Sequence, residues 1–543
     1  MKKFSKFISL LLVVALMAVL IAACGVNSDT GAPPATGDAS TEAGAGAGAP
    51  ATPIGQGRDR IRIAIGADMG TLSPAHIQGD FFAVPLNIFE SLWYQDRDGN
   101  TNFRLAREIE IIDKTTWIVH LRDNVYFSNG EPLTAQDVVF SMNLHQEAGV
   151  TGQGRVQDID LEASRALDDL TVEVIWTQFR FDQINIMSDM MIYHEASFTM
   201  ESASSNPIGT GPFRVTEYVV NSHVFLERRD DYWGRDVENF WPSFQYLEFR
   251  IIGEPSQVVN ALMTDTVDVA RIVPFDYDFV SNSIDRVNVR NRGQATWVQL
   301  GFNVMPGYSI FNDRDARHAV AHAINRQVFV DVVFHGLAEV MKSPISPLAI
   351  DHEPAFDNVH PIYSVPYDIP LAQQLAQSSG LAGQTVRLLT DGTPEFVQVA
   401  EIIQNMLTQI DVTVQILNLD AASFATASRE RTEFDLALGR GFAPTLSYLG
   451  PLANFVRFNV IFNNPSTWEN SEWYLELAPR VFQIEDAAER RQVTYEMNKI
   501  YAEAALWYSM VEFIVSEAFD NGISGPFRYT LSGFIIARYL NID

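Results

Sequence analysis

Cysteine is all but missing from this chain. Cys24 is its single representative among 543 residues, so no intrachain disulfide can form and the folded body must be stable without one. Positive charge is scarce too. Against 67 Asp and Glu stand 38 Lys and Arg, a net of −29, and so acidic a surface repels phosphate backbones, which excludes nucleic acid as a partner. After the N-terminal leader no apolar run approaches the roughly 18 residues needed to cross a bilayer. What the chain does hold is core-forming material. Hydrophobic residues make up 47% and aromatics 11%, and the length predicts about three domains or one large composite.

The N-terminus reads as an address. Lys2, Lys3 and Lys6 precede a stretch from Phe7 to Ala23 broken only by Ser9, a basic region followed by an apolar one, as in a secretory leader. The stretch ends in Leu20-Ile21-Ala22-Ala23-Cys24-Gly25. Small residues before a cysteine resemble the bacterial lipobox, and the resemblance implies that Cys24 is diacylated and becomes the first mature residue. An uncleaved membrane anchor is the alternative, at the short limit for spanning. From Gly25 to Gly57 the chain is Gly, Ala, Pro, Ser, Thr and Asp with few large apolar side chains, the composition of a disordered tether.

The body opens with Arg60-Ile61-Arg62-Ile63-Ala64-Ile65, whose alternation predicts a half-buried strand. Phe81 to Trp93 reads as a helix, and Asp96-Arg97-Asp98-Gly99-Asn100 as a hairpin turn, since it lacks the Gly and distal Glu of a calcium loop. Thr116 to Arg122 alternates as a strand, and Leu133 to Ser141 predicts a helix capped by Thr134. Gly209-Thr210-Gly211-Pro212 supplies permissive backbone for a sharp turn between strands; no Lys-Ser/Thr follows, so it is not a phosphate loop. Asn312-Asp313-Arg314-Asp315 places acids before an Ala-rich helix running through Ile324.

Several of these strings carry a resemblance. Trp117 through Ser141, with Trp…Leu-Arg…Phe…Gly…Leu-Thr-Ala-x-Asp-Val…Ser, then Pro207 to Phe213 followed by Arg228 to Gly234, then Asn303 with Phe311 to Ala319 and Ala323 to Arg326, and lastly Phe434 to Leu438, are similar in order and spacing to the family 5 bacterial extracellular solute-binding proteins that serve oligopeptide, dipeptide and nickel ABC importers. The resemblance runs from about Ile61 to the C-terminus. It implies an α/β, two-lobe periplasmic-binding-protein-like fold of the large form, with an extra subdomain inserted in the first lobe. The implied layout is a signal peptide over 1–23, a tether over 24–57, a first lobe from 58–95, 205–285 and 505–543, the insert over 96–204, and a second lobe over 286–504.

Catalytic and metal chemistry find little support in the residues. His318 and His322 stand four apart on the predicted helix, but Ala319 occupies the place where a zinc hydrolase needs Glu, leaving a plain surface or half-buried pair. His352-Glu353 is followed by Pro354, which breaks the helix such a motif requires. There is no Gly-x-Ser-x-Gly elbow, and the one cysteine belongs to the leader. No catalytic residue, metal or cofactor is expected.

The resemblance implies instead a lipid-anchored, monomeric receptor that closes its lobes on a peptide or peptide-like solute and hands it to an ABC permease and ATPase at the cell membrane. An exported hydrolase using cleft carboxylates and a sensor without transport stay open as alternatives. The family's ligand-facing loops correspond to Gln78, Phe81 and Phe82 in the first lobe and to Gly439 through Thr445 in the second. Phe442 falls where relatives carry an aromatic that packs on the ligand. Peptide-binding relatives place an Asp just beyond it for the ligand's amino group, and here Ala443, Pro444 and Thr445 stand. Arg440 offers a planar fork for a carboxylate. Whether it meets an anion, a local acid or solvent is left open by the residues.

Overall fold

The computed structural model describes residues 59–76, 83–95, 100–148, 156, 158–188, 190–236, 241–305, 309–349, 351–365, 367–419, 423–424, 426–427, 434–442, 447–458, 465–529 and 535–543. In chain order the strands are β1 (Arg60–Ile65), β2 (Trp93–Gln95), β3 (Thr101–Phe103), β4 (Ala106–Ile111), β5 (Thr116–Leu121), β6 (Arg165–Asp168), β7 (Thr171–Ile175), β8 (Phe213–Val219), β9 (His223–Arg228) and β10 (Tyr246–Ile251). They continue with β11 (Val269–Ile272), β12 (Val287–Phe302), β13 (Ala338–Val340), β14 (Thr385–Thr390), β15 (Thr413–Asn418), β16 (Leu436–Phe442), β17 (Trp507–Asp520), β18 (Ile523–Ser524) and β19 (Asn541–Ile542).

One mixed sheet of 11 strands carries the body, in the order β15-β14-β16-β12-β17-β11-β1-β10-β9-β8, with β13 paired to β17 off this path. The two long strands hold its halves together. β12 and β17 run antiparallel along their length, from Val287 opposite Asp520 to Gly301 opposite Trp507, and the ladder slips between Gly293 and Trp297. Such an irregularity bends the strand that carries it. Residues before the slip pair on the β11 side, and those after it pair with β16. This is a two-lobe α/β body with two strands passing from one lobe to the other.

Each lobe buries its own apolar residues. One core gathers Trp297, Leu300, Phe329, Val386, Leu388, Leu436, Tyr448, Tyr474 and Tyr508 around the second-lobe half of the sheet. Another gathers Ile61, Ile63, Phe89, Tyr193, Leu247 and Phe249 on one face of the first-lobe half, and a smaller one packs Leu262, Ala270 and Ala518 on the opposite face. A fourth core, with Trp93, Trp117, Val119, Phe127 and Trp176, belongs to a separate sheet of order β4-β5-β7-β6. That sheet is the extra subdomain.

Local chemistry explains the elements. In β1 the isoleucines Ile61 and Ile63 are buried, while Arg62 turns away to Asp268, which takes its Nε at 2.9 Å and its Nη2 at 2.7 Å. The strand at 116–121 forms as the alternation predicts. Asp313 caps the helix Arg314–Ala323 by accepting from the Asp315 backbone N–H at 2.7 Å.

Three expectations need correction. Between residues 83 and 93 there is no long helix among the described residues; Pro85 opens a 3-10 turn of three residues, Pro85–Asn87, and Trp93 already lies in β2. The helix after Leu133 runs over Ala135–Ala148, and at its start the Thr134 side chain donates rather than accepts: its Oγ1 and its N–H both go to Asp137 Oδ2, at 2.8 and 2.9 Å. Gly209 and Gly211 follow a short helix, Met200–Ser205, rather than a strand. Their need for glycine is close approach, since a Cβ on Gly209 would fall 2.2 Å from the Ile88 carbonyl oxygen and one on Gly211 2.7 Å from that of Asn87. The turn at 96–99 lies outside the described residues, but β2 and β3 on either side of it pair antiparallel as a hairpin.

Candidate functional site

In the second lobe β14, β15 and β16 lie parallel, so their C-terminal ends, at Thr390, Asn418 and Phe442, share one edge. Crevices outside the C-terminal ends of parallel strands are where α/β sheets bind ligands, because the loops there are free to vary on a rigid scaffold. Asp391, just past β14, accepts from the Thr393 N–H at 3.1 Å and its hydroxyl at 2.8 Å. This turn starts the helix Pro394–Leu407 and sets Phe396 in its first turn.

Arg440 and Phe442 close β16, two residues apart and so on one face of the strand. Arg440 is exposed. Its guanidinium carbon lies 5.0 Å from the centre of the Phe396 ring and 5.7 Å from that of Phe513 on β17. The two rings hold the planar cation without consuming its donors: among the described residues the Arg440 guanidinium makes no hydrogen bond and no ion pair. Phe442 is the last residue of β16, opposite Thr296, and its side chain lies outside the described residues, as do residues 443–446.

The opposite face of the same strand pair is packed with aromatics. Gly441 lies opposite Trp297, which in turn lies opposite Glu512 on β17. Trp297 is 2% exposed and donates from Nε1 to Gln299 Oε1 at 3.1 Å. Glu512 sits next to the strand slip and is buried. Ser346 donates to its Oε1, and Glu339 faces it across the β13 pairing. Burial pushes this carboxyl up to about 7, with the neighbouring Glu339 charge adding to the effect against the Ser346 bond.

In the first lobe, the segment after β1 is tied down by Tyr193, whose hydroxyl takes the Ala75 N–H at 2.8 Å and meets Ser73 Oγ at 2.9 Å. Ser73 Oγ also lies 2.9 Å from His76 Nδ1. The expected first-lobe contacts Gln78, Phe81 and Phe82 come immediately afterwards and lie outside the described residues, as does Cys24.

Two clusters invite a metal reading, and hydrogen bonding accounts for both. His318, His360 and Glu503 bring potential ligand atoms within 4.8 Å of one another. His360 Nδ1 accepts from the Ile362 N–H at 3.3 Å, so its proton is on Nε2, which meets Glu503 Oε2 at 2.5 Å. Arg314 takes the other carboxylate oxygen at 2.7 Å, and His318 donates to the Glu503 carbonyl at 2.7 Å. The His360 bond holds the Glu503 carboxyl down to about 2, and burial holds His318 down to about 4. His318 and His322 are both buried, so neither is the surface residue the sequence allows for. In the second cluster Asp265, Asp268 and Asp520 are taken up by Arg62 and Arg286.

Trp297, Phe396, Phe513 and Glu512 escape a sequence reading. Each is an ordinary core-type residue in its own segment, and only the pairing of β16 with β14 and β12, and of β12 with β17, brings them to Arg440 and Gly441.

Comparison with known proteins agrees with this architecture. Residues 103–459 match the family described as bacterial extracellular solute-binding proteins, family 5. The glutathione-binding protein GsiB of Pectobacterium atrosepticum is 24% identical, over 84% of this chain and 89% of its own length. The oligopeptide-binding protein AppA of Bacillus subtilis is 23% identical over 54% of each chain, and its structure in complex with a nonapeptide superposes with a TM-score of 0.75 at 17% identity, covering 89% of this chain and 99% of that one. NikA from Brucella suis, solved with Fe(III)-EDTA, gives a TM-score of 0.77 at 18% identity, covering 89% and 100%.

Proposed function

The chain belongs to the family 5 bacterial extracellular solute-binding proteins, and from that premise we propose that it captures a peptide or peptide-like solute between its lobes and delivers it to an ABC permease and ATPase. The family is one of binding proteins rather than enzymes, and no catalytic role is proposed. The observation that carries the reading is the pair β12 and β17, which join two separately cored lobes through a bent crossing. Such a connection lets the lobes rotate as rigid bodies, and a ligand touching both favours the closed state.

Within that reading Arg440 and Phe442 belong to the second-lobe wall, with Gln78, Phe81 and Phe82 opposite. A cation held between two rings, with none of the described residues taking its donors, suits a ligand that presents a carboxylate. Lipidated Cys24 anchors a monomer at the outer face of the cell membrane through the 24–57 tether. The first lobe comprises 58–95, 205–285 and 505–543, the insert 96–204, and the second lobe 286–504. Native mass spectrometry of protein purified without refolding tests the reading: a stoichiometric small-molecule or peptide adduct is expected. Adduct-free protein that also ignores a pool of synthetic peptides of two to nine residues, glutathione and nickel with histidine would overturn it.

A further inference from the structure

Among the described residues the extra subdomain meets the second lobe around Phe181 and Phe482. Its last strand, β7, leads through Trp176, a member of the subdomain's own core, into Gln178, Arg180 and Phe181. Phe181, however, packs against the second-lobe core. Its ring stacks on Phe482, with centroids 5.9 Å apart and planes 14° from parallel. Arg180 lies over the Phe482 ring at 4.1 Å, and Arg490 lies over the Phe181 ring at 4.2 Å. The Phe181 backbone N–H donates to the Phe482 carbonyl at 2.9 Å, and Gln483 Nε2 donates to Gln178 Oε1 at 2.6 Å. Lys114 and Glu485 add an exposed ion pair at the rim.

Both arginines are also held by groups of their own unit. Arg180 is buried and held inside the subdomain by Asp182, at 2.8 and 2.9 Å, and by Asp158 at 3.0 Å. Arg490 donates to the Ile484 and Glu485 carbonyls of its own lobe, at 2.7 and 2.9 Å. Each presents a guanidinium face to an aromatic ring of the other unit, so little side-chain freedom is lost when the units meet. No residue assigned to the ligand wall takes part.

We propose that Arg180-Phe181 and Phe482-Arg490 form a clasp that sets how often the lobes close in the absence of ligand. The inference rests on the two-lobe binding reading. A receptor whose closed form is partly prepaid by such a clasp binds its ligand more tightly than the ligand contacts alone provide, because less of the binding energy goes into moving the equilibrium. Losing the clasp therefore weakens every ligand by the same factor, whereas losing a wall residue changes the preference among ligands.

The test is hydrogen exchange by mass spectrometry on the ligand-free chain, following the peptide that contains the Phe181 amide, with small-angle scattering alongside. Phe181→Ala and Phe482→Ala, made in different units, and the double variant complete a cycle. Each single variant should lower protection of that segment and the closed population roughly tenfold, and the double variant should go no further, because one contact is lost in all three. Arg490→Gln, which keeps both rings, should give a smaller shift in the same direction. Equal protection in wild type and single variants, or single effects that add in the double, would overturn the clasp. If wild type contracts with the synthetic peptide pool while the variants match it without ligand, the clasp fails and the binding reading stands; if nothing contracts, the binding reading itself fails.

Discussion

The indole of Trp297 fills the space that a side chain at Gly441 would need: a Cβ built on Gly441 falls 2.1 Å from Trp297 Nε1 and 2.6 Å from Gln299 Oε1. The missing side chain thus lets the buried indole pack directly against the strand that carries Arg440. Gly441→Ala must displace a buried tryptophan, at a cost of roughly 1–3 kcal/mol. The melting temperature should fall and binding of any retained cargo should weaken together. Thermal denaturation and calorimetry on the same preparation check this.

Arg440 and Phe442 separate charge from apolar contact. Phe442→Ala should cost roughly 1–3 kcal/mol of affinity through lost burial. Arg440→Ala should cost more toward a ligand with a free carboxylate than toward its amidated form, since the unpaired anion is left in the site. Calorimetry with peptides from the synthetic pool, free and amidated at the C-terminus, gives the comparison. Equal losses for both forms would remove the carboxylate from the account.

Glu512 makes a prediction in pH. Its folded pKa of about 7 is above the carboxyl's ordinary value of 4.5, so the folded state holds the proton more tightly than the unfolded one. Stability from this group is full below about pH 4.5 and is lost as pH rises through 7. Glu512→Gln should therefore melt close to wild type at pH 4.5 and above it at pH 8, by an amount on the order of 2–4 kcal/mol. Melting curves of both proteins at the two pH values decide it.

Cys24 carries the proposed anchor. Cys24→Ser should leave uncleaved precursor or release the body from the membrane fraction, because a single cleaved leader leaves nothing to hold it. Fractionation with immunoblotting reads both outcomes, and unchanged processing with full membrane retention would remove the lipid from the account.

How much of this was legible in the sequence depended on the range of the interaction. Alternation located β1 and β5, where burial decides each position in turn. The acids before Arg314 marked a helix start because a cap acts within one turn. Phe81 to Trp93 misled, since its apolar content serves two different cores, with Phe89 in one and Trp93 in the other. Pro85, ahead of both, opens only a three-residue 3-10 turn. Arg440 stood out because the resemblance puts it in the ligand-facing loop from Gly439 to Thr445; the structure has it still in β16, and its cradle of Phe396 and Phe513 comes from segments more than forty residues to either side. Glu512 gave no signal, because its unusual acidity follows from burial at a strand crossing that no local pattern encodes.

The central claim is closure of two lobes on a solute, and small-angle scattering of cargo-stripped and cargo-reloaded protein tests it most directly. The account predicts a smaller radius of gyration after reloading, reversed when the cargo is stripped again. Tight rebinding with an unchanged radius would contradict it.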